Sequence, residues 1–317
     1  MNLILRSLTA LAAPAGLKSK LSVFYFHRVL EKPDPLLPYE PDARRFDRIL
    51  GWIGSQFRVL DPVEACNRLY DGSLPSRPAV VTFDDGYRDN YTVALPILQR
   101  HGVKAAFFVA TGFLNGGMMF NDRVIEAVRN APPDSLTMPG TSERWPLKSL
   151  PDRQEAINRV LKAIKHLSPY DRDQRVRVLE SELGKHSGPR MMMNPDEVAK
   201  LHQAGMRIGG HSRTHPILRA LSDDDALAEI CGGRDDIEAI TGSRPELFAY
   251  PNGRYGEDFD DSHAQMVLNS GFHFAFSTHA GVATRASSRA MLPRFTPWDR
   301  SQWRFQLRAL RNAVAGR

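Results

Sequence analysis

The sequence is poor in cysteine. Its 317 residues include only two, Cys66 and Cys231, and their separation matches neither a metal-binding motif nor the pattern of a secreted disulfide scaffold. A disulfide framework and a cysteine zinc site are therefore excluded. We expect two free thiols in a reducing compartment.

The N-terminal segment lacks acidic residues. Residues 1–30 carry Arg6, Lys18, Lys20 and Arg28 but no aspartate or glutamate. Their apolar run is interrupted by Arg6 and is too short to span a bilayer, and the basic residues do not precede the clean apolar core of a signal peptide. We expect an uncleaved segment, and a protein of the cytoplasm or of the cytoplasmic membrane face.

Both chain ends have apolar residues at helical spacing. These are Leu3, Leu8, Leu11 and Ala12 at one end, and Trp303, Leu307, Leu310 and Val314 at the other. Five arginines and no acid lie between residues 300 and 317. Packing of terminal helices on the core is the ordinary interpretation, and contact of a basic, apolar face with a membrane surface is the alternative.

The remaining composition is that of an ordinary globular protein. The apolar content is 42%, the charged content is 25%, and the formal net charge is +6 with a pI near 9.4. The length accommodates one large α/β domain or two small ones. This mild positive charge is far from that of a nucleic-acid-binding tail, and we expect no nucleic-acid partner.

Short apolar runs alternate with helical patterns, which is typical of a parallel α/β fold. The predicted strands cover residues 21–29, 79–83, 104–110, 206–210, 246–251 and 272–278. Helices are predicted in ALPILQRHG, ending at Gly102, and in NPDEVAKLHQAG, between Pro195 and Gly205. The pattern predicts residues 21–317 as a single domain after a separate N-terminal segment, residues 1–20.

One stretch, from about 116 to 190, departs from this alternation. It is charged, has prolines at 132, 133, 139, 146, 151 and 169, and contains the helical pattern QEAINRVLKAIKHL. Because it has few apolar residues for a core of its own, we interpret it as an insertion or lid rather than a separate domain. Equally, the stretch could be a solvent-exposed helical segment with no role at the site.

Two adjacent carboxylates follow the strand-like run Val80 to Phe83. Asp84 and Asp85 would lie at the carboxyl edge of a parallel sheet, and Gly86 would permit a tight turn. Neighbouring residues that leave a strand point in different directions, so one carboxylate can bind a metal while the other faces a substrate. The alternative is that one of them caps the following helix.

A pair of histidines follows another predicted strand. His211 and His215 come after MRIGG, and imidazoles four residues apart can bind a common ion. Imidazole together with carboxylate suits zinc, cobalt, nickel or iron. Three ligands, Asp85, His211 and His215, would leave positions open for water and substrate, as in a catalytic site.

The motifs TFDDGY, HSRTHP and FAYPNGRY, in this order and spacing, resemble the polysaccharide deacetylases with a NodB-homology domain, carbohydrate esterase family four. The resemblance covers roughly residues 21–295. It implies a distorted, incomplete (β/α) barrel, with Asp84 as general base and Asp85 as metal ligand beside the two histidines. It also implies metal-dependent hydrolysis of the N-acetyl group of an N-acetylglucosamine-type sugar in a polysaccharide or oligosaccharide, with zinc as the expected metal.

The sequence departs from the family pattern at two points. The arginine that steadies the base in the third motif is absent, because the corresponding residues run from Phe248 to Gly253. Arg294, in LPRF, is a substitute from elsewhere or else a member of a surface salt bridge. The C-terminal histidine that acts as general acid is also missing, since His279 lacks the apolar sequence that normally precedes it.

His27, in FYFHRV, resembles the N-terminal tyrosine-histidine signature of the branch that includes poly-N-acetylglucosamine deacetylases. That resemblance implies that His27 is the general acid, although a buried structural histidine is an alternative. It also implies that the backbone N–H of Tyr87 binds the oxyanion, and that Tyr250, Pro251 and Asn252 line the groove. Two other functions stay open, a deacetylase of a lipid-linked or small acetamido sugar and a degenerate carbohydrate-binding protein.

Overall fold

A computed structural model of the chain describes residues 2–137, 143–183 and 190–315. The strands in these ranges are β1 Ser22–Phe26, β2 Arg58–Val59, β3 Pro78–Phe83, β4 Ala105–Val109, β5 Ser135–Thr137, β6 Arg144–Pro146, β7 Arg207–Gly210, β8 Leu247–Ala249, β9 Phe274–Ala280 and β10 Leu292–Arg294. The α-helices are α1 Asn2–Ala12, α2 Ala43–Gln56, α3 Pro62–Asp71, α4 Leu95–Arg100, α5 Phe120–Asn130, α6 Leu150–Ile164, α7 Pro169–Leu183, α8 Pro195–Gln203, α9 Asp223–Thr241, α10 Asp261–Asn269 and α11 Gln302–Ala315.

The main sheet is parallel and forms a nearly closed barrel. Its strand order is β1-β3-β4-β7-β8-β9-β10, with β2 also paired to β3. The chain just after β10 returns to β1, where the Phe295 N–H donates to the Val23 carbonyl at 2.7 Å and the Tyr25 N–H donates to the Phe295 carbonyl at 3.2 Å. The predicted barrel of the NodB type is therefore confirmed.

The central strands are continuous apolar runs because helices and the barrel interior cover both of their faces. All six residues of β3 and all five of β4 are buried. Phe83 and Phe107 stack across the two strands with ring centroids 4.7 Å apart. Six predicted strands are confirmed, whereas the short strands β2, β5, β6 and β10 were not predicted.

The two predicted helices are also confirmed. α8 begins at Pro195 after Asn194, whose side chain accepts the Glu197 N–H while the Glu197 side chain accepts the Asn194 N–H. α4 is preceded by a π-helical turn, Asn90–Ala94. Both cysteines are free, as expected, and burial raises the pKa of the Cys66 thiol.

The insertion contains α5, the β5–β6 hairpin, α6 and α7. Its helices bury a separate apolar cluster whose members include Val124, Val160 and Leu179, each at most 1% exposed. Arg123 of α5 also pairs with Glu180 of α7 at 2.6 Å. The elements thus hold together as a layer with its own small core, while Pro139 and residues 184–189 lie outside the described residues.

The terminal helices α1 and α11 pack on each other and on α2. Leu5 and Phe305 are buried in these contacts, whereas Ile4 and Val314 are 66% and 64% exposed. Within the described ranges, no helix is long and apolar enough to cross a membrane. The Leu3 side chain and Arg317, which belong to the two predicted apolar and basic patterns, lie outside what the structure describes.

Candidate active site

Five of the predicted site residues lie where strands of the barrel end. Asp84 and Asp85 follow β3, His27 follows β1, His211 follows β7, and Arg294 is the last residue of β10. The carboxyl ends of parallel strands form one rim, so residues far apart in the sequence share a single site. The structure therefore brings together the residues that were predicted to act together.

Asp85, His211 and His215 form one cluster, and their ligand atoms all lie within 4.8 Å of one another. Asp85 Oδ1 is 3.3 Å from Nε2 of His211 and 3.4 Å from Nε2 of His215. The backbone is strained to achieve this, because Asp85 has φ +76° and His215 has φ +55°. Positive φ in residues other than glycine is uncommon and concentrates at functional sites.

The protonation of these groups suits a cation. Nδ1 of His211 lies 2.6 Å from the Ala249 carbonyl and donates to it, which orients the ring so that Nε2 faces Asp85. Burial lowers the pKa of His215 to about 4, so its ring is neutral at pH 7. Asp85 Oδ1 is buried without a hydrogen bond from any described residue.

Lone pairs that face a carboxylate repel unless a positive ion lies between them. Zinc bonds of about 2.1 Å in a tetrahedral site place neighbouring ligand atoms about 3.4 Å apart. The observed separations of 3.3 and 3.4 Å agree with that spacing. The three residues therefore fit a small divalent metal.

Asp84 is held by Arg294. Nη1 of Arg294 donates to Oδ1 of Asp84 at 2.7 Å, and both side chains are almost completely buried. Burial alone would raise the pKa of Asp84, but the Arg294 guanidinium outweighs burial and lowers that pKa. Asp84 is thus kept ionised, and no described residue hydrogen-bonds its Oδ2.

Arg294 is itself fixed on three sides. Its Nε donates to the Ser277 carbonyl at 3.0 Å, and its guanidinium lies over the Tyr25 ring at 4.4 Å. Because Arg294 is 1% exposed, the alternative of a surface salt bridge is wrong. Arg294 thus lies beside Asp84, the predicted base, although the third motif lacks an arginine.

His27 lies one residue beyond β1, on the same side as Tyr25, and their rings meet edge to face with centroids 5.8 Å apart. Burial would lower the pKa of His27, but the nearby carboxylates of Asp85, Asp84 and Glu40 raise it overall. This favours the protonated imidazolium, the form required of a general acid. His279, by contrast, is exposed at the end of β9.

Tyr87 lies on the turn that follows the aspartate pair. Neighbouring backbone bonds run from Arg88 N–H to the Met191 carbonyl and from Met193 N–H to the Gly86 carbonyl. Within the described ranges the N–H of Tyr87 has no acceptor, as an oxyanion donor requires. Its buried hydroxyl contacts Asp122 Oδ2 at 3.1 Å, which connects this turn to α5.

The stretch from Tyr250 to Asn252 forms a turn after β8. Tyr250 is 1% exposed, stacks on Phe259 at 3.7 Å and donates its hydroxyl to the Ala290 carbonyl at 3.0 Å. Pro251 is buried, and Asn252, at φ +61°, accepts a hydrogen bond from Thr278 through its carbonyl. The Tyr250 side chain packs in the core here, and the substrate contacts predicted for these three residues stay predictions.

Sequence comparison assigns the chain to a family. A family model described as polysaccharide deacetylase matches residues 71–142 and 151–271, which is more than half of the chain. The chain belongs to the polysaccharide deacetylase family. It is accordingly a hydrolase of the deacetylase type, as the motifs predicted.

Three similar proteins illustrate this membership. The chain is 19% identical over 269 residues to YxkH of Bacillus subtilis (strain 168), which bears the provisional name polysaccharide deacetylase; the match covers 84% of this chain and 67% of YxkH. The Streptococcus pyogenes deacetylase PplD, solved with acetate, has a TM-score of 0.58 at 19% identity, covering 87% of this chain and 92% of PplD. IcaB from Ammonifex degensii has a TM-score of 0.59 at 17% identity, covering 95% and 98%.

Proposed function

We propose that this deacetylase hydrolyses the N-acetyl group of an N-acetylglucosamine-type sugar in a polysaccharide or oligosaccharide, with a divalent metal such as zinc held by Asp85, His211 and His215. One observation carries the proposal. An ionised carboxylate, Asp84, with a free oxygen lies directly beside a three-ligand metal cluster at the rim of the barrel. A metal bound there would polarise the acetamide carbonyl and lower the pKa of a water molecule.

Residues of the chain would carry out the proton transfers and stabilise the oxyanion. Arg294 occupies Oδ1 of Asp84, so Oδ2 is available to take a proton from the attacking water. The water oxygen bonds to the acetamide carbon, and the N–H of Tyr87 donates to the oxyanion that forms. His27 then gives its proton to the sugar nitrogen as the carbon–nitrogen bond breaks, releasing acetate and a free amine.

The same set of residues favours catalysis over a binding function. A carbohydrate-binding protein has no need for a buried aspartate kept ionised by a buried arginine, since burying such a pair costs desolvation energy. The missing third-motif arginine was the main support for a degenerate protein. Arg294 removes that support, because it supplies a guanidinium to Asp84.

Acetate release tests this function directly. The purified protein would be incubated with N-acetylglucosamine oligomers of two to six units, before and after chelation and with zinc or cobalt restored. Asp84→Asn should reduce release at least a hundredfold, and Asp261→Asn, an exposed change at the start of α10, is the matched control. Metal-independent release, or release by Asp84→Asn at the wild-type rate, would contradict the mechanism.

A further proposal concerns location. Exposed apolar residues lie on both terminal helices, with Ile4 at 66%, Leu11 at 78%, Trp303 at 48% and Val314 at 64% exposure. Residues 1–30 and 300–317 contain basic residues but no acids, so the chemistry of the two chain ends suits an anionic membrane surface on the cytoplasmic side.

Flotation with phosphatidylglycerol vesicles tests the location. The double change Ile4→Asp and Leu11→Asp should abolish co-flotation, whereas Val178→Asp, at a 50% exposed position of α7, should not. Equal flotation of both variants, or binding to neutral vesicles alone, would contradict a role for this face.

A further inference from the structure

An open cavity of about 380 Å³ has no role in the mechanism proposed above. Arg45 and Arg48 of α2 line it, together with Arg300, which precedes α11. Arginine is the side chain best suited to planar, bidentate recognition of phosphate and carboxylate. Three arginines around one cavity therefore indicate a candidate site for an anion.

The acids that also line the cavity accept hydrogen bonds from other groups, although the charges of Asp42 and Glu40 still act on Arg45. Asp34 pairs with an arginine of α5 at 2.6 Å, and Asp42 accepts the backbone N–H of Arg45 at 2.7 Å as the N-cap of α2. Glu40 accepts a backbone N–H beyond the end of β1 at 3.2 Å. None of the three arginines forms an ion pair with a residue in the described ranges.

Arg45 is the least satisfied of these arginines. Its Nη2 donates to the Trp298 carbonyl at 2.8 Å, but its buried Nε has no acceptor among the described residues. Burial and the neighbouring Arg300 lower the pKa of Arg45. A bound anion would relieve both the repulsion and the unmet hydrogen bond.

The cavity lies next to the surroundings of the proposed acid. A smaller recess lined by Tyr25, His27 and Trp298 shares Glu40 and Arg45 with the cavity. The recess also reaches Tyr39, which is 70% exposed and lies with its ring centroid 6.2 Å from that of Trp298, itself 57% exposed. Exposed aromatic rings of this kind offer flat apolar surfaces to a sugar ring.

We infer that the Arg45, Arg48 and Arg300 cavity binds an anionic oxygen group of the substrate, a phosphate or a carboxylate attached to the saccharide whose acetamido sugar reacts at His27. The inference rests on the proposed function and narrows its substrate class to anionic glycans. Tyr39 and Trp298 would support the intervening sugar. A neutral N-acetylglucosamine oligomer would use the catalytic centre without using the cavity.

Kinetics on matched substrates test the inference. N-acetylglucosamine oligomers of equal length would be compared in three forms, neutral, with a phosphate at the reducing end, and with a terminal uronate. The variants are Arg48→Glu and Arg300→Glu, both at exposed positions where a change costs little stability. Arg44→Glu is the control, because Arg44 is exposed on the same helix and does not line the cavity.

The expected result is selective. Each cavity variant should raise KM for an anionic oligomer about tenfold with kcat retained, while KM for the neutral oligomer and all values for Arg44→Glu stay within about twofold, since one charge-assisted hydrogen bond is worth about a factor of ten or more. The anionic oligomer whose KM rises shows whether the cavity binds phosphate or carboxylate. Equal KM changes for neutral and anionic oligomers, or none for either anionic oligomer, would overturn the inference and leave the proposed function standing.

A binding measurement separates the two proposals. If the wild type released no acetate from any oligomer, the proposed function would be wrong. Titration calorimetry with inorganic pyrophosphate would still test whether the cavity binds an anion. Binding by the wild type and by Arg44→Glu that is lost in both cavity variants would support an anion site. Absence of binding by the wild type would overturn it.

Discussion

Replacing Arg294 should lower the maximum rate of deacetylation and also shift its pH dependence. Arg294→Met keeps most of the side-chain volume but removes the charge 2.7 Å from Asp84. With charge centres about 4 Å apart and an effective dielectric constant near 20, the interaction is worth about 4 kcal/mol. At about 1.4 kcal/mol per pKa unit, its loss raises the pKa of Asp84 by one to three units.

The sign of the effect follows from the role of Asp84. The base acts only when ionised, and Arg294 now lowers its pKa, so Arg294→Met should move the acidic limb of the kcat/KM profile upward by one pH unit or more. We expect about a hundredfold loss at pH 8 from disturbed positioning, and at least tenfold more at pH 5. An acidic limb that stays in place would refute the assignment of Arg294 to the base.

A second variant and a folding control accompany that experiment. Arg294→Lys retains a charge but loses the Nε–H bond to Ser277, so its acidic limb should move less than that of Arg294→Met. Removing one partner of a buried pair costs about 3–5 kcal/mol of stability, so each profile would be restricted to the pH range in which circular dichroism shows a folded variant.

Three further perturbations address neighbouring features. Zinc at a hundred times its dissociation constant should stabilise the chelated protein by about 2.7 kcal/mol, seen as a higher Tm, and His215→Ala should abolish that increase; an unchanged shift would exclude the cluster as the site. Burial raises the pKa of Asp122 to about 7, so wild-type stability should fall by about 2–4 kcal/mol between pH 4 and pH 7 and then level off; urea unfolding of Asp122→Asn should lack this slope, and an identical slope would contradict the assignment. Gly86 has φ +89° and an added Cβ would lie 3.0 Å from Val109, so Gly86→Ala should cost about 1–3 kcal/mol in thermal unfolding, and a neutral result would show that this turn relaxes freely.

The catalytic cluster was predictable because its residues follow strands. Asp84, Asp85 and His211 each come directly after an apolar run, and the carboxyl ends of parallel strands must meet at one rim. The sequence did not decide whether Arg294 pairs with Asp84 or forms a surface salt bridge. Its strand has only three residues, and its partner is 210 positions away in the sequence. Only barrel closure brings them together.

The anion cavity gave no sequence signal. Its arginines belong to α2 and to the segment before α11, and charged residues on a helix ordinarily indicate only a solvated face. The Tyr87 contact with Asp122 was likewise not predicted, since it depends on how the insertion packs on the barrel.

The closure of the barrel beside Arg294 has direct consequences for the proposed catalysis. The bonds between Phe295 and β1 join the two ends of the sheet, and Phe295 immediately follows Arg294, which pairs with Asp84, the proposed base. If this seam, the set of hydrogen bonds between Phe295 and β1, opened, the Arg294 guanidinium would move away from Asp84. The helices and most of the sheet would stay intact. On heating, enzymatic activity should therefore vanish before the far-ultraviolet circular dichroism changes, which makes acetate release a reporter of seam opening and the seam a natural target for stabilising this enzyme.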